Sequence, residues 1–235
     1  MNQKVAVVTG ASQGIGAGLV AGYRKHGWLV VANSRNIAPS DDPGVVTVAG
    51  DIGDPDTARA VIDAAVSGFG RVDTLVNNAG VFLAKPFTEY TAEDYARVSR
   101  LNLDGFFHVS QLAVARMLAQ GQGGHLVNIT TSLVDHANSA VPSVLASLTK
   151  GGLQSATKSL AIEYAGRGIR VNAVSPGIIA TPMHPEQTHA ALAGLHPVGR
   201  IGEVQDVVDA VLFLEDTSFV TGEILHVDGG QSAGH

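Results

Sequence analysis

The chain contains no cysteine, and this absence excludes a disulfide, a thiol nucleophile and a thiolate metal site. Such a composition fits the reducing cytoplasm, where we expect the protein to act. Histidine does not supply a metal site in place of cysteine. His184, His189 and His196 are five and seven residues apart, a spacing that matches no standard ligand pattern. We therefore expect no metal.

Long apolar runs are also missing. No segment approaches the roughly 20 apolar residues of a membrane-spanning helix, and the apolar run before Gly10 is too short for a secretion signal. The formal net charge is −6, from 15 basic and 21 acidic residues, which argues against a nucleic acid partner. With 235 residues, 45% of them hydrophobic, the chain fits a single α/β domain over 1–235 that has neither a membrane nor a nucleic acid partner.

Short β-branched runs alternate with longer helical patterns, which is typical of a parallel sheet covered by helices on both faces. The predicted strands are 4–9, 28–33, 45–49, 73–78, 125–130, 169–175 and 223–228. The predicted helices lie near 15–26, 55–69, 91–99, 104–120, 147–166 and 203–214. The segment 178–202 has no such pattern and contains three prolines. We interpret it as a substrate lid, because long irregular connections often have that role.

The stretch "VVTGASQGIGAGL" follows the first predicted strand and opens the first predicted helix. Its Gly10, Gly14 and Gly16 allow a tight turn and let the backbone approach a phosphate. The helix that follows presents free N–H groups and the positive end of its dipole to an anion. Because the glycines stand between a strand and a helix, the pattern predicts a dinucleotide site.

Several further motifs extend this pattern over nearly the full chain. They are "NNAG" ending at Gly80, "LNLDG" with Asn102, "SPGIIATPM" from Ser175, and "LHVDGG" near the C-terminus. Together with the Thr9–Gly16 motif they resemble the classical short-chain dehydrogenase/reductase family. The resemblance implies a single-domain Rossmann fold, in which a doubly wound, seven-stranded parallel sheet is flanked by helices. It also implies hydride transfer between a nicotinamide and a small-molecule carbonyl or secondary alcohol, and a homo-oligomer, either a tetramer or a dimer.

The end of the second predicted strand indicates which nicotinamide cofactor binds. An acidic residue there would bond the ribose 2′-hydroxyl of NAD(H), but this chain has Ser34 and Arg35. A planar guanidinium suits a 2′-phosphate, so we expect NADP(H) rather than NAD(H). The resemblance places Asp51 beside the adenine. The cofactor residues that it implies are Thr9, Gly10, Ser12, Gln13, Gly14, Ile15, Gly16, Ser34, Arg35, Asp51, Ile52, Asn78, Ala79, Gly80, Lys150, Pro176, Gly177, Ile179 and Thr181.

The catalytic part of the resemblance has one break. The family uses an asparagine, a serine, and a tyrosine followed four residues later by a lysine. Asn102 and Lys150 take the first and last of these positions, whereas the tyrosine position is Ala146. Residues four apart share a helix face, so Tyr164, nearly four turns beyond Lys150, does not replace the tyrosine. The serine corresponds to Thr131 or to its neighbour Ser132, and both stay open.

The missing tyrosine leaves three interpretations. The first is an oxidoreductase with an altered proton relay, in which the proton comes from Lys150, from a water held by Lys150 and Asn102, or from His136. The second is a non-catalytic NADP(H)-binding protein that serves as a sensor or subunit, and the third is an engineered alanine variant of an ordinary reductase. We expect the first, because Asn102, Lys150 and Thr181 are all retained and a protein that only binds cofactor has less need of them together.

Overall fold

The computed structural model describes residues 3–234, and its centre is one parallel sheet. The seven strands are β1 (Val5–Thr9), β2 (Leu29–Ser34), β3 (Val45–Ala49), β4 (Thr74–Asn77), β5 (Gly124–Ile129), β6 (Ile169–Pro176) and β7 (Ile224–Val227). Their order across the sheet is β3-β2-β1-β4-β5-β6-β7, and every neighbouring pair is parallel. This doubly wound order confirms the predicted Rossmann arrangement.

The described residues form seven α-helices. They are α1 (Gly14–Lys25), α2 (Pro55–Phe69), α3 (Ala92–Ser99), α4 (Gly105–Gln120), α5 (Val144–Tyr164), α6 (His189–Ala193) and α7 (Val204–Asp216). Between residues 3 and 234, none of these helices combines the length and the apolar character that crossing a membrane requires.

The sheet is buried on both faces, as β1 illustrates. Val5 and Val7 belong to a core that includes residues of α2 and α4, whereas Ala6 and Val8 belong to a core that includes residues of α1 and α7. Alternate side chains of a strand point to opposite faces, so apolar residues are required at every position of the strand. This explains why the strands read in the sequence as continuous apolar runs.

The clearest difference from the sequence prediction lies between α3 and α4. The sequence indicated two separate helices, but a π-helical turn over Arg100–Asp104 joins them into one continuous helical path. A π-turn inserts an extra residue into a helix and is frequent at functional sites. Because the helical periodicity continues on either side, the pattern of apolar residues does not reveal it. The turn contains Asn102, which is buried.

The segment 178–202 is mostly irregular and contains the short helix α6. Its two ends meet, because Ile179 and Gly202 form a bridge. The Gly202 amide donates to the Ile178 carbonyl at 2.8 Å, and the Ala180 amide donates to the Gly202 carbonyl at 2.8 Å. The segment therefore leaves and rejoins the fold at one point, close to the carboxyl end of β6.

Candidate active site

The candidate site lies at the carboxyl edge of the sheet, where β1 and β4 are neighbours and the strand order reverses. Thr9 joins the ends of these two strands, since its Oγ1 accepts from the Asn78 amide at 3.1 Å and from the Ala79 amide at 3.0 Å. The Asn78 side chain donates to the Thr9 carbonyl at 2.9 Å. A crevice at such a reversal is the usual ligand site of this architecture.

The glycine turn after β1 packs too tightly for side chains. A Cβ on Gly10 would lie 2.9 Å from Ala79 Cα, and one on Gly16 would lie 2.2 Å from the Gly10 carbonyl oxygen. Gln13 is the N-cap of α1, and its side chain makes no capping hydrogen bond to any residue of the described chain. The first N–H groups of the helix are thus available to an anion, and the turn fits a dinucleotide pyrophosphate. Ser12 and Ile15 belong to the same turn.

The next part of the candidate site lies at the carboxyl ends of β2 and β3. Ser34 ends β2 and is paired in register with Ala49 at the end of β3, so Arg35 and Asp51 follow adjacent strands. Arg35 is exposed. Asp51 is held in place, because its Oδ1 accepts from the Gly53 amide at 3.0 Å and its Oδ2 accepts from Arg100 Nε at 3.2 Å. Ile52, which follows Asp51, is buried.

Lys150 reaches the centre of the site from α5. Its Nζ donates to the Ile129 carbonyl at 2.7 Å, at the end of β5. A Cβ on Gly80 would lie 3.1 Å from Lys150 Nζ and 3.3 Å from Asn102 Oδ1, so Lys150 and Asn102 converge on Gly80. Burial lowers the pKa of the Lys150 ammonium from 10.5 to about 8. The ammonium is therefore a stronger acid than that of an exposed lysine.

Asn102 is fixed by three hydrogen bonds. Its Oδ1 accepts from the Val81 amide at 2.9 Å, and its Nδ2 donates to the Val81 carbonyl at 3.2 Å and to Thr149 Oγ1 at 3.0 Å. Thr149 precedes Lys150 on α5, so the two helices that carry Asn102 and Lys150 are tied together. Sequence reasoning missed Thr149, although a polar residue on the buried face beside Lys150 was a usable signal.

Sequence reasoning also missed a chain of buried polar groups that connects strands β4 and β5 to helices α4 and α5. Asn77 Nδ2 donates to Ser110 Oγ at 2.9 Å and to Asn128 Oδ1 at 2.9 Å, and Asn128 Nδ2 donates to Thr157 Oγ1 at 2.8 Å. These bonds connect β4 and β5 to α4 and α5. The signal in the sequence was an asparagine directly after the apolar pair Leu-Val in each of the strands "TLVN" and "HLVNI".

Thr131 and Ser132 have different surroundings. Ser132 is buried, and its hydroxyl donates to Gln231 Oε1 at 2.8 Å. Thr131 is half-buried, and its Oγ1 accepts a longer hydrogen bond of 3.4 Å from the Leu133 amide. Of the two hydroxyls, that of Thr131 is less committed to the fold.

None of the four tyrosines occupies the position one turn before Lys150, which is taken by the buried Ala146. Tyr23 donates to Glu215 on α7 at 3.1 Å, and Tyr90 donates to the Leu83 carbonyl at 2.7 Å. Tyr95 is exposed, and Tyr164 packs at the far end of α5. Within residues 3–234, the lysine thus has no tyrosine on its own helix face one turn away.

The loop after β6 returns towards the glycine turn. The Gly177 amide, next to Pro176, donates to the Val227 carbonyl at 3.0 Å. His196 Nε2 accepts from the Ile178 amide at 3.0 Å. Ile179 is buried, and a Cβ on Gly14 would lie 3.2 Å from Thr181 Cγ2. The loop 176–181 therefore spans from β6 to the start of α1.

Comparison with known proteins identifies the family. Residues 10–232 match the family described as Enoyl-(Acyl carrier protein) reductase. L-xylulose reductase from Bos taurus is 40% identical over 243 residues, which cover 96% of this chain and 95% of that protein.

Solved structures agree in fold over almost the whole length. A tyrosine-to-phenylalanine variant of ElxO with NADPH bound has a TM-score of 0.91 at 29% identity, with 100% of both chains covered. A 3-ketoacyl-(acyl-carrier-protein) reductase from Brucella melitensis complexed with NADH has a TM-score of 0.86 at 32% identity, with 97% of this chain and 98% of that chain covered. The chain therefore belongs to the classical short-chain dehydrogenase/reductase family.

Proposed function

We propose that the protein is an NADP(H)-dependent oxidoreductase that transfers hydride between the nicotinamide and a carbonyl or secondary alcohol, by a proton route that uses no tyrosine. The observation that carries the proposal is the convergence of Lys150 and Asn102 on Gly80, beside a glycine turn shaped for a pyrophosphate. The names of two similar proteins, L-xylulose reductase and 3-ketoacyl-(acyl-carrier-protein) reductase, both describe reduction of a carbonyl.

The bound nicotinamide nucleotide would supply or accept the hydride, and the residues at the carboxyl edge fit it in order. The glycine turn and the N-terminus of α1 would hold the pyrophosphate. Asp51 would face the adenine, and the loop 176–181 would hold the nicotinamide. Similar structures contain either NADPH or NADH, so the end of β2 decides the preference. Ser34 and the exposed Arg35 favour NADP(H) there.

Lys150 is the proton donor in this proposal. Removal of a positioned general acid typically costs about 10²–10⁴-fold in rate, and an acid whose pKa is near the operating pH offsets part of that loss. The lowered pKa of about 8 meets this condition, and the bond to the Ile129 carbonyl positions the Nζ. Thr131, the freer of the two hydroxyls, would bind the substrate oxygen. His136 and a water held by Lys150 and Asn102 are the competing donors.

A non-catalytic NADP(H)-binding sensor or subunit is the second candidate. The observation that favours it is the ElxO variant, which has lost a tyrosine hydroxyl and still has NADPH bound. NADPH binding in a similar fold therefore does not require that hydroxyl. An engineered alanine variant of an ordinary reductase would give the same behaviour in a binding assay.

The segment 178–202 is our proposed lid over the substrate. Both of its ends lie beside the cofactor loop, and Met183 and Val198 expose apolar surface. Few cations line this segment, which favours an uncharged substrate over a strongly anionic one. Arg200, its main cation, is paired with Asp206 at 2.8 Å.

A second copy of the chain is the proposed partner. An apolar groove runs between α4 and α5, lined by Phe107, Val114, Leu118 and Leu160 among others. Phe107 is 57% exposed, and Ile162 nearby on α5 is 80% exposed. Exposed apolar patches of this kind usually mark an interface. Light scattering of Leu160→Glu against the unaltered chain tests this point, and we expect a smaller assembly for the variant.

The experiment that tests the function compares NADPH oxidation by this chain and by Ala146→Tyr over a panel of ketones, ketoses and β-ketoacyl thioesters. We expect turnover by the unaltered chain, a rate about 10²–10⁴-fold lower for Lys150→Gln, and full activity for His136→Ala. A chain that binds NADPH but is silent until Ala146→Tyr is introduced would contradict the altered relay. That result would support the binding protein or an engineered origin.

A further inference from the structure

The C-terminal turn, defined as residues 228–233, has a shape fixed by one carboxylate. Asp228 Oδ1 accepts from the Gly230 amide at 2.9 Å, and its Oδ2 accepts from the Ser232 amide at 2.8 Å. Gly229 and Gly230 have φ angles of +61° and +91°, in the left-handed region that favours glycine. The turn therefore holds Gln231 between two fixed backbone positions.

Gln231 meets the substrate loop, defined as residues 131–135, at Ser132. Ser132 Oγ donates to Gln231 Oε1 at 2.8 Å, and both side chains are buried. The two residues are 99 positions apart in the chain. A buried hydrogen bond of this kind is costly to break on one side, because the remaining partner is left unpaired. The bond therefore fixes the orientation of Ser132 and of the backbone that leads to Thr131.

The other end of the substrate loop has its own attachments. Asp135 Oδ2 accepts from Gln154 Nε2 on α5 at 3.0 Å. The same oxygen pairs with His226 Nε2 on β7 at 3.1 Å. The substrate loop is thus held both by the C-terminal segment and by the helix that carries Lys150.

We infer that Gln231 is a positioning residue, which acts through Ser132 to hold Thr131 at a fixed place relative to Lys150. The inference rests on the proposed function and deepens it by giving the C-terminal turn a part in the reaction. An apolar side chain of similar size would fill the same space, but only an acceptor oxygen directs the Ser132 hydroxyl. Displacing a positioned group by about 1 Å can cost about 10²-fold in rate. Loss of the hydrogen bond from Ser132 to Gln231 should therefore slow the chemical step.

A mutant cycle tests the inference with Gln231→Met, Ser132→Ala and the double variant. Gln231→Met keeps the length of the side chain and removes the acceptor. Gln205→Met, on the exposed face of α7, is the matched control. We expect each single variant to lower kcat by about 10- to 100-fold with the NADPH Kd unchanged. The kcat of the double variant should be no lower than that of the slower single variant, because both substitutions remove the same hydrogen bond.

Two kinetic results would overturn the inference. One is a kcat for Gln231→Met equal to that of Gln205→Met. The other is a double variant in which the two losses multiply, since independent effects would mean that Gln231 does not act through Ser132.

Hydrogen exchange on the protein without substrate separates this inference from the proposed function. The amides of Val134, Asp135 and His136 are bonded within the loop to the carbonyls of Thr131 and Ser132. We expect Gln231→Met to speed their exchange while β1 stays protected. Unchanged exchange would overturn the positioning role regardless of turnover. If Gln231→Met speeds exchange but the unaltered chain reduces no carbonyl, the proposed oxidoreductase function is wrong. The result would still support the attachment of the substrate loop by Gln231.

Discussion

Lys150 Nζ donates to the Ile129 carbonyl at 2.7 Å, one helical turn after the buried Ala146. The lysine is thus directed to the end of β5 by the backbone, without a tyrosine beside it. If Lys150 is the acid, Lys150→Gln should lower kcat by about 10²–10⁴-fold. Stopped-flow reduction with saturating NADPH measures this loss directly. A variant that binds NADPH and retains more than a tenth of the rate would assign the proton to another group.

We predict that the preference for NADPH over NADH depends on Arg35. Arg35→Asp places a negative charge where the 2′-phosphate would bind, so we expect the Kd for NADPH to rise by about 10- to 100-fold, corresponding to the loss of one charge-assisted contact. The Kd for NADH should stay level or fall. Arg59→Asp, on the exposed face of α2, removes the same charge elsewhere and serves as the control. If Arg35→Asp and Arg59→Asp raise the Kd for NADPH equally, Arg35 acts only through the net charge of the protein.

Gly80 is the contact point of Lys150 and Asn102. A Cβ there would lie 3.1 Å from Lys150 Nζ, so Gly80→Ala must shift the lysine by a few tenths of an ångström. We expect kcat/KM to fall by about 10-fold without loss of the fold. Gly152→Ala, whose Cβ would meet its nearest neighbour at 3.9 Å, should leave kcat/KM unchanged and stabilise α5. A Gly80→Ala variant as active as Gly152→Ala would contradict the convergence on Gly80.

Much of the fold was predictable from the sequence, because strands buried on both faces must be apolar throughout. The glycine turn and Lys150 could be proposed as site residues from the sequence, because each depends on a short local pattern. The π-turn at Asn102 was not predictable, because the apolar pattern shows helices on either side of residues 100–104 but not the turn that joins them. The Ser132–Gln231 bond joins residues 99 positions apart, and no local pattern indicates such a pairing. The sequence therefore left Thr131 and Ser132 equivalent, whereas their burial separates them.

Glu215 is the centre of a buried network at the opposite edge of the sheet from the site. Its carboxylate accepts from Tyr23 at 3.1 Å, from Thr74 at 2.9 Å and from His125 Nδ1 at 3.1 Å. His125 Nε2 faces the Asn172 amide at 3.0 Å, which leaves the ring neutral with its proton on Nδ1. Glu215→Ala leaves three buried donors unpaired at a cost of about 1–3 kcal/mol each, and we expect the free energy of unfolding to fall by about 3–5 kcal/mol.

The same network predicts how stability depends on pH. Burial lowers the pKa of the His125 imidazole below 6.5, so the unfolded chain binds that proton first and stability falls as the pH drops below 6.5. Burial alone would raise the pKa of Glu215, but its hydrogen bonds, chiefly from His125, lower the pKa below 4.5. Stability therefore falls again as the pH drops below that value. Thermal melts of His125→Gln should therefore show no loss of stability just below pH 6.5. If the variant has the same pH profile as the unaltered chain, His125 is not the group responsible.

The most direct test of the account is the pH dependence of single-turnover carbonyl reduction, with NADPH prebound and the pH varied from about 6 to about 10. If a protonated Lys150 is the acid, as proposed, the rate should fall as the pH rises through about 8. Lys150→Gln should be slow and show no such fall. A rate that is independent of pH, or a Lys150→Gln profile that matches the unaltered chain, would contradict the proposal that Lys150 replaces the tyrosine.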